Sequence, residues 1–187
     1  INLQGIAMRR LGLAALLTAF ALFSPGTVSA QTPDDCYKAG LQDDDNELIR
    51  ICTAVLEKGG LEGNILSTTL SNRGLGYLRS GQYDKAIIDF SEAILINPKN
   101  PFAFDNRGDA WREKKNFDRA LADYNEALAI EPTFTSSLLN RGITYELAGD
   151  KAKARADYEA ALNQKGDRAI DKWAREQAKN RLDKLGR

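Results

Sequence analysis

Asn72-Arg73-Gly74, Asn106-Arg107-Gly108 and Asn140-Arg141-Gly142 recur at intervals of 34 residues, and this spacing decides the fold. Further residues keep the same register: an aromatic at Tyr77, Trp111 and Tyr145, an alanine at Ala86, Ala120 and Ala154, and an aspartate at Asp89, Asp123 and Asp157. A second aromatic follows at Phe90, Tyr124 and Tyr158, then another alanine at Ala93, Ala127 and Ala161. Fixed-period self-similarity of this length marks stacked supersecondary units. Each unit holds two apolar helical stripes separated by a breaker, at Ser80-Gly81-Gln82, Lys115-Asn116 and Ala148-Gly149-Asp150, so each reads as a helical hairpin. Gly74, Gly108 and Gly142 fall mid-helix, where glycine costs about 1 kcal/mol relative to alanine. They are expected to face Ala86, Ala120 and Ala154 and to let the paired backbones approach, with the aromatics filling the wider ends. Asn97-Pro98 and Glu131-Pro132 stop the second helix of the first two units.

The order of these residues over 67–166 resembles the tetratricopeptide repeat. Leu70, Gly74, Tyr77, Ala86, Phe90, Ala93 and Pro98 follow its signature in the first unit. The second opens at Phe104 and closes at Pro132, and the third opens at Leu138 but reaches Gly166 where a proline would stand. Every unit also carries an arginine where the family usually has leucine before the glycine, a recurrent variant rather than decay. The resemblance implies an all-α superhelical solenoid of hairpins, with repeats at 67–100, 101–134 and 135–168 between capping segments at 31–66 and 169–187.

The N-terminal segment 31–66 reads as a degenerate repeat. Gly40 and Cys52 match Gly74 and Ala86, and Cys36 and Cys52 lie symmetrically about Asp44 in the polar turn Gln42–Asn46. Antiparallel helices about that turn set the sulfurs opposite each other, as a disulfide or as two reduced core thiols. At the other end, Ile170, Trp173, Ala174, Ala178, Leu182 and Leu185 form one stripe of an amphipathic helix expected to cap the stack. Asp171, Glu176 and Asp183 interrupt its basic face, against a membrane-surface role.

Residues 1–30 read as an address. Met8 is the only methionine; Arg9-Arg10, the apolar run Leu11–Phe23 and the exit Val28-Ser29-Ala30 follow it. Residues 1–7 are then an upstream extension and 8–30 a signal peptide cut between Ala30 and Gln31. The apolar run is short of the roughly 20 residues a bilayer span requires. The expected destination is a periplasm or the cell exterior, where a Cys36–Cys52 disulfide persists.

Lys plus Arg and Asp plus Glu both number 26, so the overall charge does not favour a nucleic acid partner. Without residues 1–30 the balance is 24 basic to 26 acidic residues. Histidine is absent, which removes the usual proton shuttle and zinc ligand. No phosphate-binding Gly-x-x-x-x-Gly-Lys or Gly-x-Ser-x-Gly elbow occurs. Asp43-Asp44-Asp45 lacks the later ligands and the central glycine of a calcium loop, and it and Asp34-Asp35 read as solvated turn residues. No catalytic residue, metal or cofactor is therefore assigned.

In proteins resembling this one, the first helix of each hairpin lines a concave groove. The resemblance places Thr68, Ser71, Leu75 and Leu78 there from the first repeat, and Phe102, Asp105, Asn106, Asp109, Arg112 and Glu113 from the second. Ser136, Leu139, Ile143 and Glu146 come from the third. This mixture of apolar ridges and an acidic centre suits an extended or helical segment with apolar anchors and positive charge. The carboxylate clamp of some family members is missing: Asn106 matches one position, but Ser71, Leu75, Ser136 and Asn140 occupy others. Asn72, Asn106 and Asn140 are expected to make a recurrent structural hydrogen bond. Three readings follow: a non-catalytic adaptor for a protein or peptide, a self-associating envelope subunit using its end helices, and, least supported, an enzyme or metal protein.

Overall fold

The computed structural model describes residues 31–186, so the proposed signal segment lies outside the described residues. The described chain is all helical. Its elements are α1 (Pro33–Gly40), α2 (Asp45–Lys58), α3 (Gly63–Arg79), α4 (Tyr83–Ile96), α5 (Pro101–Glu113), α6 (Phe117–Ile130), α7 (Thr135–Leu147), α8 (Lys151–Leu162) and α9 (Ala169–Leu185). Each helix packs on the next in sequence. Odd-numbered helices also touch one another (α1 with α3, then α3 with α5, α5 with α7 and α7 with α9), whereas among the described residues even-numbered helices do not meet. That asymmetry makes the odd helices the inner layer of a curved stack, the α-α superhelical solenoid expected for repeated hairpins. No described helix is long and apolar enough to cross a membrane.

Local chemistry sets the helix limits. Asn100 caps α5 by accepting from the Phe102 amide at 3.1 Å, with Pro101 in the first turn, and Asp150 caps α8 through the Lys153 amide at 3.0 Å. α4 and α6 end at Ile96 and Ile130, one residue before the Asn97-Pro98 and Glu131-Pro132 pairs begin. The hairpin turns recur in register at Gly81, Lys115 and Gly149, all with positive φ (76°, 61° and 88°); Lys115 holds a conformation that glycine adopts more cheaply.

The close approach within each hairpin differs from the sequence expectation. Gly74, Gly108 and Gly142 face the ring of the second aromatic, not chiefly the alanine. A Cβ on Gly74 would lie 2.9 Å from Phe90 Cε1; on Gly108 and Gly142 it would lie 2.7 and 2.6 Å from Cε1 of Tyr124 and Tyr158. A Cβ on Gly142 would also lie 3.3 Å from the Ala154 carbonyl oxygen. The buried rings press against bare backbone, and Ala86, Ala120 and Ala154 are buried too. In the first hairpin, buried Gly76 serves α2 similarly, since a Cβ there would meet Ile49 Cγ1 at 2.8 Å.

The recurrent arginine has a partner that the sequence reading did not assign. Arg73, Arg107 and Arg141 each donate two hydrogen bonds, from Nε and Nη2, to Asp89, Asp123 and Asp157 on the second helix, at 2.7–2.9 Å. Nη1 of Arg107 and Arg141 reaches back to Ser91 (3.0 Å) and Asn125 (2.6 Å) of the preceding hairpin. The bidentate arginine thus ties two helices within each unit, and in the second and third units it also joins that unit to the one before it.

Helices outside the three hairpins pack on either side of them. Cys36 and Cys52 form a buried disulfide between α1 and α2, and α2 begins at the Asp44 cap, whose side chain accepts from the Glu47 amide at 3.0 Å. At the other end α9 packs on α7 and α8, burying Ala174 and Ala178. The expected stripe is only partly buried there, because Ile170 and Trp173 stay about half exposed. Arg175 follows Arg141 at the repeat interval and donates to the carbonyls of Gln164 (3.1 Å) and Gly166 (2.7 Å). α9 accordingly stands in the first-helix position of a fourth unit, which turns Ile170 and Trp173 toward the inner layer.

Candidate functional site

Position 102 and its register mates 136 and 170 sit on three successive inner helices as Phe, Ser and Ile. The small serine between two large apolar side chains leaves a hollow. Phe102, Phe134, Ile143, Ile170 and Trp173 wall a cavity of about 350 Å³, with Asp105, Asn106, Asp109, Arg112, Ser136 and Asn140 also lining it. Phe102 is 47% exposed and packs edge-on against buried Phe134, with ring centroids 4.8 Å apart. Trp173 on α9 is 51% exposed.

The polar floor is a connected network. Asp105, only 6% exposed, accepts from Ser137 Oγ at 2.6 Å and from Asn140 Nδ2 at 3.3 Å. Asn140 Nδ2 also reaches Asp109 at 3.3 Å. Asp109 accepts from the Tyr124 hydroxyl at 2.7 Å and pairs with Arg112 at 2.7 Å. Burial, reinforced by the Asp109 charge, pushes the Asp105 carboxyl up to about 7 from its usual 3.8. Burial raises Asp109 too, against the opposing pull of Arg112. Burial would lower the Arg112 guanidinium, but the Asp109 charge beside it holds it above its ordinary range. Ser136 is 8% exposed, and its Oγ has no hydrogen-bond partner.

The remaining expected groove residues are dispersed. Leu139 is a correction: it is 1% exposed and belongs to the core that α9 closes. Leu75 and Leu78 are half-buried against the Ala86–Phe90–Ala110 cluster. Thr68 is exposed and lines a separate shallow hollow with Tyr37 and Ile65, and Ser71 Oγ turns back to the Ser67 carbonyl at 2.9 Å. Glu113 lies exposed beside Arg112 at 3.3 Å. Glu146 accepts from Tyr158 (2.6 Å) and Arg181 (2.9 Å). Among the described residues, Asn140 alone of the three recurrent asparagines makes side-chain hydrogen bonds, so no shared structural bond exists. Sequence reasoning missed Phe134, whose signal was an aromatic directly after Pro132-Thr133. It also missed Trp173 as a groove residue, although Arg175 carried the register.

Comparison with known proteins agrees with this architecture. Residues 67–100 and 135–167 match the family description "Tetratricopeptide repeat", and residues 108–149 match "TPR repeat". No curated protein matches the chain. Among solved structures, the first TPR domain of human RPAP3 is 27% identical, covering 66% of this chain and 92% of its own, with a TM-score of 0.59. The first TPR of Spaghetti (RPAP3) bound to the HSP90 peptide SRMEEVD is 26% identical, covering 68% and 96%, also at 0.59. A tetratricopeptide repeat protein from Parabacteroides merdae, 24% identical over 81% of this chain and 60% of its own, shares the fold at 0.60.

Proposed function

Because the chain belongs to the tetratricopeptide repeat family, we propose that it is a non-catalytic adaptor whose inner face holds a segment of another protein. The observation that carries this reading is the cavity between α5, α7 and α9, with half-exposed Phe102 and Trp173 at its edge and carboxylates on its floor. Large apolar side chains left open around a concavity, with a few polar groups converging beneath, are the usual form of a peptide-binding site. A relative that holds the HSP90 peptide SRMEEVD supports the mode of binding. The chemistry here points to a different peptide. That ligand carries three acidic residues and one basic, whereas the floor here is itself acidic, so the segment suited to this groove combines apolar anchors with positive charge. We also infer export: the Cys36–Cys52 disulfide supports an oxidising compartment.

The test is capture of partners from an envelope extract by the immobilised chain, beside a Phe102→Ala/Trp173→Ala control. A partner retained by the parent chain and lost by the variant, with helical circular dichroism and melting temperature preserved, is the expected result. A partner held equally by both refutes binding on this face.

A further inference from the structure

Five aspartates are buried among the described residues: Asp89, Asp105, Asp123, Asp157 and Asp171. Four are held by arginine, Asp89 by Arg73, Asp123 by Arg107, Asp157 by Arg141 and Asp171 by Arg168, at 2.7–2.8 Å. Asp105 is the exception: its hydrogen-bond donors are the neutral Ser137 and Asn140. The nearby guanidinium of Arg112 is already engaged by Asp109. A buried carboxylate without a cation is expensive to ionise, and a cation brought by a ligand removes that cost. A second, independent observation comes from Ser136, a buried residue that lines the same cavity and whose Oγ, shielded from solvent, has no hydrogen-bond partner.

The walls complete the match. Phe102, Ile143, Ile170 and Trp173 offer apolar surface for a methylene stem, and the two exposed rings can attract a cation in their own right. An acidic side chain would meet Asp105 and Asp109, and a neutral one would leave Asp105 uncompensated. Resting on the groove reading above, we propose that this cavity is a socket for one basic side chain of the bound segment, a lysine or arginine whose cation donates to Asp105 and Ser136 while its stem lies between Phe102 and Trp173. The raised Asp105 carboxyl accords with this, since an entering cation favours its ionised form. The charged and titratable groups around it are Asp109 and Arg112 on its own helix and Tyr124 from α6, with α7 contributing the hydrogen bonds of Ser137 and Asn140.

A random-peptide library displayed on phage and selected on the full chain tests the proposal. Selected sequences should share a lysine or arginine beside an apolar residue. For the tightest synthetic peptide, replacing that lysine by norleucine, or that arginine by citrulline, should weaken binding at least about tenfold. Asp105→Asn, with its circular dichroism checked, should do the same. The peptide substitution leaves the protein untouched, so it decides the matter even where the protein variant folds poorly. Peptides lost on Phe102→Ala but changed less than about twofold by both charge removals overturn the socket and leave the groove reading standing. Peptides indifferent to Phe102→Ala overturn both. Binding of free n-butylammonium as tight as that of the peptide also overturns the proposal, making the occupant a small amine.

Discussion

Gly108→Ala sets two known effects against each other. Alanine in a helix interior is worth about 1 kcal/mol over glycine, so an open site would be stabilised by that amount. Here the added Cβ would lie 2.7 Å from Cε1 and 3.0 Å from Cδ1 and Cζ of Tyr124. The ring cannot easily retreat, because Tyr124 is fully buried and its hydroxyl is tied to Asp109 at 2.7 Å. Overpacking of this kind costs about 1–3 kcal/mol, so the net change runs from near neutral to about 2 kcal/mol destabilising, and Gly108→Leu goes further. For a chain of this size, each kcal/mol lowers the melting temperature by roughly 2–4 °C. Thermal and urea unfolding followed by circular dichroism measure this directly. Gly74→Ala should be the mildest of the three equivalent changes, since Phe90 has no hydroxyl to anchor it. Gly142→Ala should be at least as harmful as Gly108→Ala, with its Cβ at 2.6 Å from a ring held by Glu146. Gly108→Ala raising stability by the full helix-propensity increment would refute the glycine-to-ring contact.

Three further outcomes follow from the same contacts. Asp105 has a folded-state value of about 7 against an ordinary 3.8, so between these pH values the folded chain binds more protons than the unfolded one, and this group's contribution to stability falls as pH rises. Asp105→Asn should therefore gain more on the parent chain in urea midpoint at pH 8 than at pH 5; equal offsets at both would contradict the burial of an uncompensated acid. Arg107→Leu leaves Asp123 buried without its cation and should cost about 3–5 kcal/mol, while Arg107→Leu/Asp123→Ala should recover much of it; additive losses in urea unfolding would show that the pair does not act as a unit. Reducing Cys36–Cys52 opens a loop of about 15 residues, worth roughly 3 kcal/mol in chain-entropy terms, so dithiothreitol should lower the melting temperature, and no shift would count against the bond.

The hairpins were legible because their recurrent residues answer to packing between two helices, a constraint that repeats with the unit. Pairing within a hairpin was legible only where it was counted from the turn. Symmetry about Asp44 joins Cys36 to Cys52. The same counting from Gly81-Gln82 sets Arg73 and Gly74 opposite Asp89 and Phe90, and does not set glycine opposite Ala86. The recurrent arginines and aspartates were both visible in the sequence, but their ion pair emerges only when both are placed across the turn. Leu139 and Trp173 were exchanged for a related reason. Helical periodicity identifies the apolar face of α9 but not which part of it the preceding hairpin covers; α9 docks on α7, buries Leu139 and leaves Trp173 open.

The repeats also separate scaffold from specificity by internal comparison. Positions occupied alike in all three units, such as the arginine, the glycine and the second aromatic, are bound up between helices, and changing them alters stability. One inner-helix position reads Ser71, Asp105, Leu139 and Trp173 along the stack. Its occupants do four different things: Ser71 turns back on its own helix, Asp105 is a buried acid without a cation, Leu139 is core, and Trp173 lines the cavity. Because the scaffold tolerates all four, that position is free to encode the ligand. The proposed basic segment would be anchored where two unlike occupants, Asp105 and Trp173, line one cavity, with the small Ser136 making the room between them.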